Sequence, residues 1–311
     1  MSLAAQTSDL VSPDQNIVDF VADFTAETTP FSAAKIEDFR QILRPGTTVS
    51  VTFLPGSDFA DTIATSARLR NEGFNPVPHL AARSIPDQSF LDDGLRRLKD
   101  QADVDEVLVV AGGIDQPIGA FSDTMQILET GLLDTHGIRR IGVAGHPEGS
   151  SDISDEDIAK AVTRKNDFQQ RTGADLYILT QFCFEAAPII AWDQAIRAAG
   201  NQMPIRIGIP GLATIKTLLN YAMACGVGNS MTFLKKQARN VTKLMSVSTP
   251  DKLIAELADY KANDPNCGLV GTHMYPLGGL KKTAKWTYGV IDGQFVLNAK
   301  GPGFKVTSDI Y

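Results

Sequence analysis

The chain has 311 residues, enough for a full hydrophobic core, and 43% of them are hydrophobic, which indicates a soluble globular protein. Its net charge of -7 and its lack of a basic block argue against a nucleic-acid partner. No apolar run approaches the roughly 20 residues that cross a membrane, and the amino-terminal segment lacks a secretory signal, so we expect a cytoplasmic protein.

Eight apolar, strand-like runs recur along the chain at intervals of roughly 30 residues. Continuous apolar runs of this kind are typical of parallel strands that are buried on both faces. They are Phe20–Ala26, Thr48–Phe53, Asn75–Leu80, Glu106–Ala111, Arg140–Ala144, Leu176–Thr180, Ile205–Ile209 and Leu269–Met274.

Helical patterns fill the intervals between these runs. Ser122 and Ser154 are start signals, each followed by an acidic turn. Gly73 and Gly200 come just after two of the patterns, where a left-handed cap favours glycine. The predicted helices are Ala33–Leu43, Phe59–Asn71, Gln88–Gln101, Asp123–Leu133, Ser154–Arg171, Ala186–Ala199 and Ile215–Ala224.

The alternation of strands and helices predicts an α/β protein with a single (β/α)8 TIM barrel. A doubly wound sheet fits the same alternation, but no GxGxxG sequence follows the first strand. Two extra helices, Met231–Met245 and Asp251–Lys261, precede the last strand, and Trp286–Leu297 resembles a hairpin. We therefore expect one domain over residues 1–311, with a flexible amino terminus (1–16) and a C-terminal extension (286–311).

Polar residues end the first three predicted strands, at Glu27, Thr52 and His79. In α/β proteins the carboxyl ends of the strands carry the chemistry. Burial near the barrel axis would raise the pKa of Glu27, so that the carboxyl group donates a proton near neutral pH. An exposed loop carboxylate at Glu27 and a hydrogen-bonded core histidine at His79 are the plainer interpretations.

The loops after the fourth and fifth strands add further candidates. The sequence AGGIDQPIG contains Gly112 and Gly113, whose backbone N–H groups can approach a phosphate or a flavin edge closely. Asp115 would then face the ligand, unless it only forms a turn. The sequence AGHPEGS, which starts at Ala144, places His146 and Glu148 in a tight loop.

The sixth strand ends at Gln181, in the sequence DLYILTQFCFE. Its neutral amide has both a donor and an acceptor, so it can bind the edge of a pterin-like ring, or it can simply cap the strand. Cys183, Cys225 and Cys267 lie far apart, which indicates free thiols and no metal site.

Six segments resemble, in the same order, those of the methylenetetrahydrofolate reductases, which are flavin-dependent (β/α)8 barrels. The family typically has FEFFPP, VSVTYGA, PHLT, AxYPExH, GAD…ITQFFFD and IIPGILP at these places. The resemblance runs from about Val18 to about Lys282. The segments here are FTAETTP, VSVT, VPHLAARSI, VAGHPEGS, TGADLYILTQFCFE and IGIPGLATI.

The resemblance implies roles for individual residues. Glu27 matches the general acid that helps to open the ring of methylenetetrahydrofolate, and Gln181 matches the residue that hydrogen-bonds the pterin. FAD is the implied cofactor, and NADH or NADPH is the implied hydride partner. The implied FAD contacts are Thr52, His79, Gly112, Gly113, Ala144, His146, Glu148, Lys165 and Gln169.

The chain also departs from the family pattern. The loop after the fourth strand reads GGID rather than RGD, so an arginine is missing. A folate-contacting glutamine corresponds to Thr217, and an expected arginine corresponds to Gly279, with Lys281 close by. We expect Asp115, Thr217 and Lys281 to contact the tetrahydrofolate derivative.

The sequence therefore predicts a flavin-dependent oxidoreductase that interconverts 5,10-methylenetetrahydrofolate and 5-methyltetrahydrofolate by hydride transfer. It leaves open the direction of the reaction and whether the protein is a homo-oligomer. Two alternatives remain: a cofactor-free barrel lyase or aldolase acting on a small phosphorylated substrate, and a folate- or flavin-binding protein without turnover.

Overall fold

Eight parallel strands form a closed barrel, so the predicted (β/α)8 fold is confirmed. The structure, a computed structural model, describes residues 12–150, 153–224 and 244–310. Each strand pairs with the next along the chain, and the last pairs with the first, with Thr25 opposite His273. The strands are β1 (Thr25–Thr28), β2 (Thr48–Val51), β3 (Asn75–Ala81), β4 (Glu106–Val110), β5 (Arg140–Gly145), β6 (Asp175–Phe182), β7 (Ile205–Pro210) and β8 (Leu269–Tyr275).

Helices pack around the outside of the barrel, as the alternation of the sequence predicts. In the described part of the chain, no helix is long and apolar enough to span a membrane. The helices are α1 (Pro13–Val21), α2 (Pro30–Ala33), α3 (Phe59–Asn71), α4 (Gln88–Ala102), α5 (Thr124–Leu128), α6 (Leu132–Thr135), α7 (Asp155–Thr172), α8 (Ala186–Ala198), α9 (Ile215–Ala224), α10 (Asp251–Asn263) and α11 (Leu280–Ile291).

The barrel interior has its own apolar cluster. Tyr177 and Leu179 of β6 pack with Val77 of β3 and Leu108 of β4, separately from the larger core beneath the helices. Alternate residues of a strand face opposite sides, which assigns this cluster to the inside of the barrel. Gly142 leaves room for it, because a Cβ there would lie 2.8 Å from both Leu108 and Tyr177.

Charged residues close the amino-terminal end of the barrel. Arg206 of β7 donates to the Asp23 carboxylate at 2.8 Å, and the Arg140 guanidinium lies 4.7 Å from the ring centre of Tyr177. Burial raises the pKa of Glu106 in β4, although a hydrogen bond from Tyr177 opposes this effect. Side chains thus fill the barrel from its amino-terminal end to its middle. A ligand can therefore approach from the carboxyl ends of the strands.

The predicted first strand, Phe20–Ala26, is wrong in its bounds. Phe20 and Val21 belong to α1, and β1 runs from Thr25 to Thr28. The Ser12 side chain accepts from the backbone N–H of Gln15, so a helix begins here instead. Residues 13–16 of the predicted flexible amino terminus belong to this helix, and the flexibility of residues 1–16 stays a prediction.

The predicted helix Ala33–Leu43 is also wrong. The chain forms only α2 and a short 3₁₀ turn, Phe39–Gln41. The guanidinium of Arg68 donates to the backbone carbonyls of Ala33, Ile36 and Glu37, which an α-helix would have used internally. A side chain from α3 therefore replaces the helical hydrogen bonds of this segment.

Two further predictions need correction. The helix predicted at Asp123–Leu133 is two short helices separated by Gly131, which has a φ of 73°. The hairpin predicted at Trp286–Leu297 begins later, because α11 continues to Ile291 and buries Trp286. The observed hairpin joins β9 (Phe295–Leu297) to β10 (Phe304–Val306).

The predictions for the segment between β7 and β8 have different outcomes. The helix predicted at Asp251–Lys261 is confirmed as α10. Most of the predicted helix Met231–Met245 lies outside the described residues, as does Cys225. The single-domain organisation of residues 1–311 stays a prediction.

Candidate active site

Glu27 stands near the end of β1, where the neighbouring strands β2 and β8 both reach its carboxylate. The Thr52 hydroxyl, just after β2, donates to Glu27 Oε2 at 3.1 Å. His273 Nε2, on β8, lies 3.8 Å from the same oxygen. His273 Nδ1 in turn lies 2.7 Å from the Thr25 hydroxyl, so the imidazole is fixed between β1 and the carboxylate.

This environment lowers the pKa of Glu27, contrary to the prediction from the sequence. Burial alone would raise the pKa, but the nearby imidazoles of His273 and His79 and the hydrogen bond from the Thr52 hydroxyl together outweigh it. The prediction considered desolvation and missed the partners that barrel closure supplies. In the unliganded protein, Glu27 is therefore a carboxylate at neutral pH.

His79, on β3, is buried and its Nε2 atom has no hydrogen-bond partner. Burial lowers its pKa to about 4, with the Glu27 charge opposing and the His273 charge adding to the shift. The imidazole is therefore neutral at pH 7. An unpaired buried ring nitrogen is costly, and a polar ligand group that reached this atom would remove that cost.

One cavity of about 1270 Å³ gathers several of the predicted residues at the carboxyl ends of the strands. It is large enough for an elongated organic ligand. Among the predicted residues, those that line it are Glu27, Thr52, His79, Gln181 and Lys281.

Gln181 lines this cavity near the end of β6. Its Oε1 atom accepts from the backbone N–H of Phe182 at 3.3 Å, which is the strand-capping role. Tyr275 also lines the cavity, and its hydroxyl donates to the carbonyl of Thr180 at 3.0 Å. These two hydrogen bonds fix the end of β6, and the Gln181 side chain remains partly exposed.

The glycines of the loop after β4 have different roles. Gly112 has a φ of 100°, and a Cβ there would lie 3.2 Å from the Cβ of Ala81, so the position favours glycine. Gly113 borders open space, because a Cβ there would meet only Pro55, at 4.0 Å. Asp115 is exposed and does not line the large cavity among the described residues.

An arginine from the preceding strand fastens this loop. Arg83 follows β3, and its guanidinium donates to the carbonyls of Ile114 at 3.2 Å and Ser122 at 3.1 Å. The backbone N–H of Ile118 donates back to the carbonyl of Arg83 at 2.9 Å. The GGID loop therefore has a guanidinium beneath it, although its own sequence contains no arginine.

Lys165 joins α7 to the end of β5. Its ammonium group is buried and donates to the carbonyl of Ala144 at 3.1 Å. Burial lowers its pKa to about 8, with Asp123 opposing and Arg164 adding to the shift. One turn later on α7, the buried Oε1 of Gln169 has no hydrogen-bond partner.

His146 and Glu148 line a second cavity, of about 490 Å³, between α7 and α8. Burial lowers the pKa of His146 to about 4, and the charge of Lys165 adds to this effect. Burial also raises the pKa of the nearby Cys183 thiol, and the Glu148 charge raises it further. Cys183 is thus a free, buried thiol, as the sequence predicts, and its raised pKa makes it a poor nucleophile.

Thr217 lies in the first turn of α9, where its hydroxyl is 2.9 Å from that of Thr214. It does not line the large cavity among the described residues, but Tyr221, one turn further along the same helix face, does. Helix α9 therefore reaches the cavity through Tyr221 and not through Thr217.

A family model described as Methylenetetrahydrofolate reductase matches residues 35–277, more than three quarters of the chain. The chain belongs to this family. A curated relative in Schizosaccharomyces pombe, Methylenetetrahydrofolate reductase 1, is 37% identical over 87 residues. These residues are 28% of this chain and 14% of the relative, so only a small part of that protein is matched.

The matched range of the reductase family begins after Glu27 and ends before Lys281. The roles of these two residues therefore depend on the geometry of the site. Glu27 has partners on both neighbouring strands, whereas Lys281 is an exposed side chain at the start of α11.

His273, Tyr275 and Arg83 belong to the candidate site but were not among the residues predicted from the sequence. His273 and Tyr275 alternate along β8, so one face of that strand points toward the cavity. The signal was available, because a closed barrel must place its last strand beside its first. No comparable signal existed for Arg83, whose partners are loop carbonyls.

Proposed function

We propose that this chain is a flavin-dependent oxidoreductase that interconverts 5,10-methylenetetrahydrofolate and 5-methyltetrahydrofolate. The observation that carries this proposal is the shared cavity of Glu27, Thr52, His79 and Gln181 at the accessible end of the barrel. Family membership supports it, because these strand ends are where the resemblance places the cofactor and the folate.

Several of the predicted FAD contacts have groups that suit this cofactor, although Lys165 and Gln169 line neither of the two cavities described above. The unpaired Nε2 of His79, the unpaired Oε1 of Gln169 and the open surface at Gly113 are polar or close-approach positions that such a ligand would satisfy. The buried ammonium of Lys165 suits a phosphate or ribose oxygen. When bound, FAD would supply or accept the hydride.

Glu27 would exchange the proton that accompanies the hydride. In the reductive direction, the bond between the one-carbon unit and folate N10 breaks and N10 gains a proton. In the oxidative direction, N10 loses that proton to the carboxylate. A ligand that covers the cavity increases the burial of Glu27, and burial is the effect that raises its pKa.

Gln181 would orient the pterin through its amide, and Lys281 would contact the carboxylate end of the folate. Asp115, in the loop after β4, and Thr217, in the first turn of α9, remain proposed folate contacts. Ala144, His146 and Glu148 remain proposed contacts of FAD. The partner that exchanges hydride with FAD, NADH or NADPH, is likewise a proposal.

The visible spectrum of the purified protein, followed by two half-reactions, tests this function. We expect flavin absorbance that is bleached anaerobically by NADH or NADPH and restored by methylenetetrahydrofolate, with formation of methyltetrahydrofolate. Heat-denatured protein should release FAD, and free FAD is the control for the folate step. A protein that binds no flavin after incubation with FAD, or a reduced protein that folate does not reoxidise, would overturn the proposal.

A further inference from the structure

Strand β6 contains an extra residue near its carboxyl end. Leu179 lies opposite Arg206 of β7, whereas Phe182 lies opposite Gly208. Between these pairs, two residues of β6 stand against one residue of β7, which makes a β-bulge. On its other side, β6 pairs with β5 in an unbroken register as far as Thr180. Bulges are frequent next to active sites, where they change the direction of a side chain.

The bulge directs two consecutive side chains toward the large cavity. Gln181 and Phe182 both line it, although successive side chains of a regular strand point to opposite faces. The ring of Phe182 packs edge-to-face against that of Tyr275, which also lines the cavity, with 5.4 Å between their centres. The cavity is therefore lined by an amide beside an apolar ring, and a regular strand would present only one of the two.

Side chains bind the backbone groups that the bulge removes from the regular ladder. The backbone N–H of Gly208 donates to the Thr180 hydroxyl at 2.8 Å. The Tyr275 hydroxyl donates to the carbonyl of Thr180 at 3.0 Å, and the backbone N–H of Phe182 donates to Gln181 Oε1 at 3.3 Å. Buried backbone groups require partners, so these three hydrogen bonds stabilise the bulge.

Thr180 differs from the other residues of the bulge because a ligand cannot reach it. Its side chain is fully buried, and it lines neither cavity in the described part of the chain. The facing residue must be small, since a Cβ at Gly208 would lie 2.6 Å from the carbonyl oxygen of Thr180 and 2.9 Å from the carbonyl carbon of Gln181. The bulge thus requires a hydroxyl on β6 and no side chain at the facing position of β7.

We propose that Thr180 is a positioning residue for Gln181, and that its hydroxyl stabilises the bulge that directs the Gln181 amide into the cavity. This inference rests on the proposed folate reaction, in which Gln181 orients the pterin. The Phe182 N–H fixes the amide through Oε1, and Gln181 Nε2 has no partner within the described ranges. The amide is therefore presented with its donor free for an acceptor atom of the ring.

Folate affinity in a set of variants tests this role. Calorimetry measures the binding of 5-methyltetrahydrofolate to the FAD-loaded, anaerobically reduced protein, in which this folate cannot react. Thr180→Val keeps the shape of the side chain but loses the acceptor, so Kd should rise about tenfold, whereas Thr180→Ser keeps the hydroxyl and should change Kd by less than about twofold. FAD affinity should stay the same in both.

The matched control is Thr130→Val. The Thr130 hydroxyl accepts from the backbone N–H of Leu132 at 3.2 Å, between α5 and α6, and Thr130 lines neither cavity. The same substitution therefore removes the same kind of hydrogen bond away from the site. Thermal stability should fall, but folate affinity should not change.

A double-mutant cycle shows whether Thr180 acts through Gln181. Thr180→Val should weaken folate binding about tenfold in the wild-type background but less than about twofold in the Gln181→Ala background. Equal losses in both backgrounds would overturn the positioning role, because Thr180 would then affect binding only through overall stability. If Thr180→Val does not fold, Tyr275→Phe removes the other side-chain bond to Thr180, and the same dependence on Gln181 is expected.

Crystal structures of the wild-type protein and of Thr180→Val test the geometry without folate. In the variant, β6 should lose the bulge or Gln181 should turn out of the cavity. An unchanged bulge with Gln181 in place would overturn the inference. A wild-type protein that binds no folate would overturn the proposed reaction, and the two crystal structures would still show whether the Thr180 hydroxyl stabilises the bulge.

Discussion

A carboxylate that exchanges a proton during turnover needs a pKa that responds to what occupies its site. Glu27 meets this requirement, because burial raises its pKa while His273 and Thr52 lower it. The partners are fixed by the barrel, whereas the degree of burial depends on the ligand. A folate that displaces water from the cavity would thus shift the balance toward the protonated acid.

Replacing Glu27 by Gln should remove the proton-exchanging group while keeping its size. General acid–base catalysis contributes about 10²- to 10⁴-fold, so the folate half-reaction should slow by that factor. Reduction of the flavin by its donor should change little, since Glu27 is proposed to act only on folate. Stopped-flow measurement of each half-reaction checks this. An unchanged folate half-reaction would make Glu27 a structural carboxylate.

Replacing Gln181 by Ala should weaken folate binding by roughly 1–3 kcal/mol, because polar atoms of the pterin would lose a buried partner. Flavin content should stay the same. The backbone N–H of Phe182 also loses its acceptor, so thermal stability must be compared with the wild-type protein. Unchanged folate affinity with reduced stability would show that Gln181 only caps β6.

At the scale of elements, strands that are buried on both faces were the most predictable. Strands β2 to β8 lie within two residues of their predicted bounds, because apolar runs and the turns that follow them are local signals. The errors come from distant partners. Arg68 breaks the predicted helix at Ala33–Leu43, and α11 extends over the predicted hairpin because Trp286 packs against Phe304.

The candidate site also has features that local sequence signals predict and features that depend on distant partners. Glu27, Thr52, His79 and Gln181 are found from strand ends alone, and the structure places them around one cavity. The ionisation of Glu27 could not be predicted in this way. It depends on His273, which is 246 residues away in sequence and becomes a neighbour only when the barrel closes.

A buried cation, Lys165, connects α7 to the end of β5. Lys165 lies beneath the barrel mouth without a carboxylate in direct contact among the described residues, and its lowered pKa reflects an unfavourable charged state. Such a cation costs stability in the unliganded protein and becomes favourable when an anionic group binds. Binding of the proposed FAD beside Lys165 would therefore be linked to the packing of α7.

Replacing Lys165 by Met should therefore stabilise the flavin-free protein and weaken FAD binding. Loss of the buried charge should outweigh loss of the hydrogen bond to Ala144, with a net gain of about 1–2 kcal/mol. FAD affinity should fall by about one to two decades. Thermal unfolding with and without FAD measures both effects, and Lys160→Gln, on the exposed face of α7, is the control. A destabilised apoprotein with unchanged FAD affinity would contradict this role.

For the molecule as a whole, two imidazoles stay neutral in the folded state at neutral pH. His79 and His146 both have pKa values lowered to about 4 by burial, compared with an ordinary value of 6.5. A histidine with a lowered pKa binds its proton more readily in the unfolded chain. Stability is therefore unaffected above about pH 6.5 and falls as the pH drops from there toward 4.

The unliganded protein should accordingly lose stability between pH 7 and pH 5, with about 2 kcal/mol of the loss due to His79 alone. Glu27 contributes little in this window, since a carboxylate with a lowered pKa loses its stabilising effect only below its ordinary value of 4.5. Urea unfolding of the flavin-free protein at pH 5, 6 and 7 measures the loss. In His79→Gln the decrease in the free energy of unfolding between pH 7 and pH 5 should be about 2 kcal/mol smaller than in the wild-type protein. The control is His136→Gln, which removes a histidine paired with Asp92 outside the cavity and should show the wild-type decrease. Identical pH dependence in wild-type protein and His79→Gln would mean that His79 is hydrated or paired in solution. The proposal that its unpaired nitrogen binds the ligand would then be wrong.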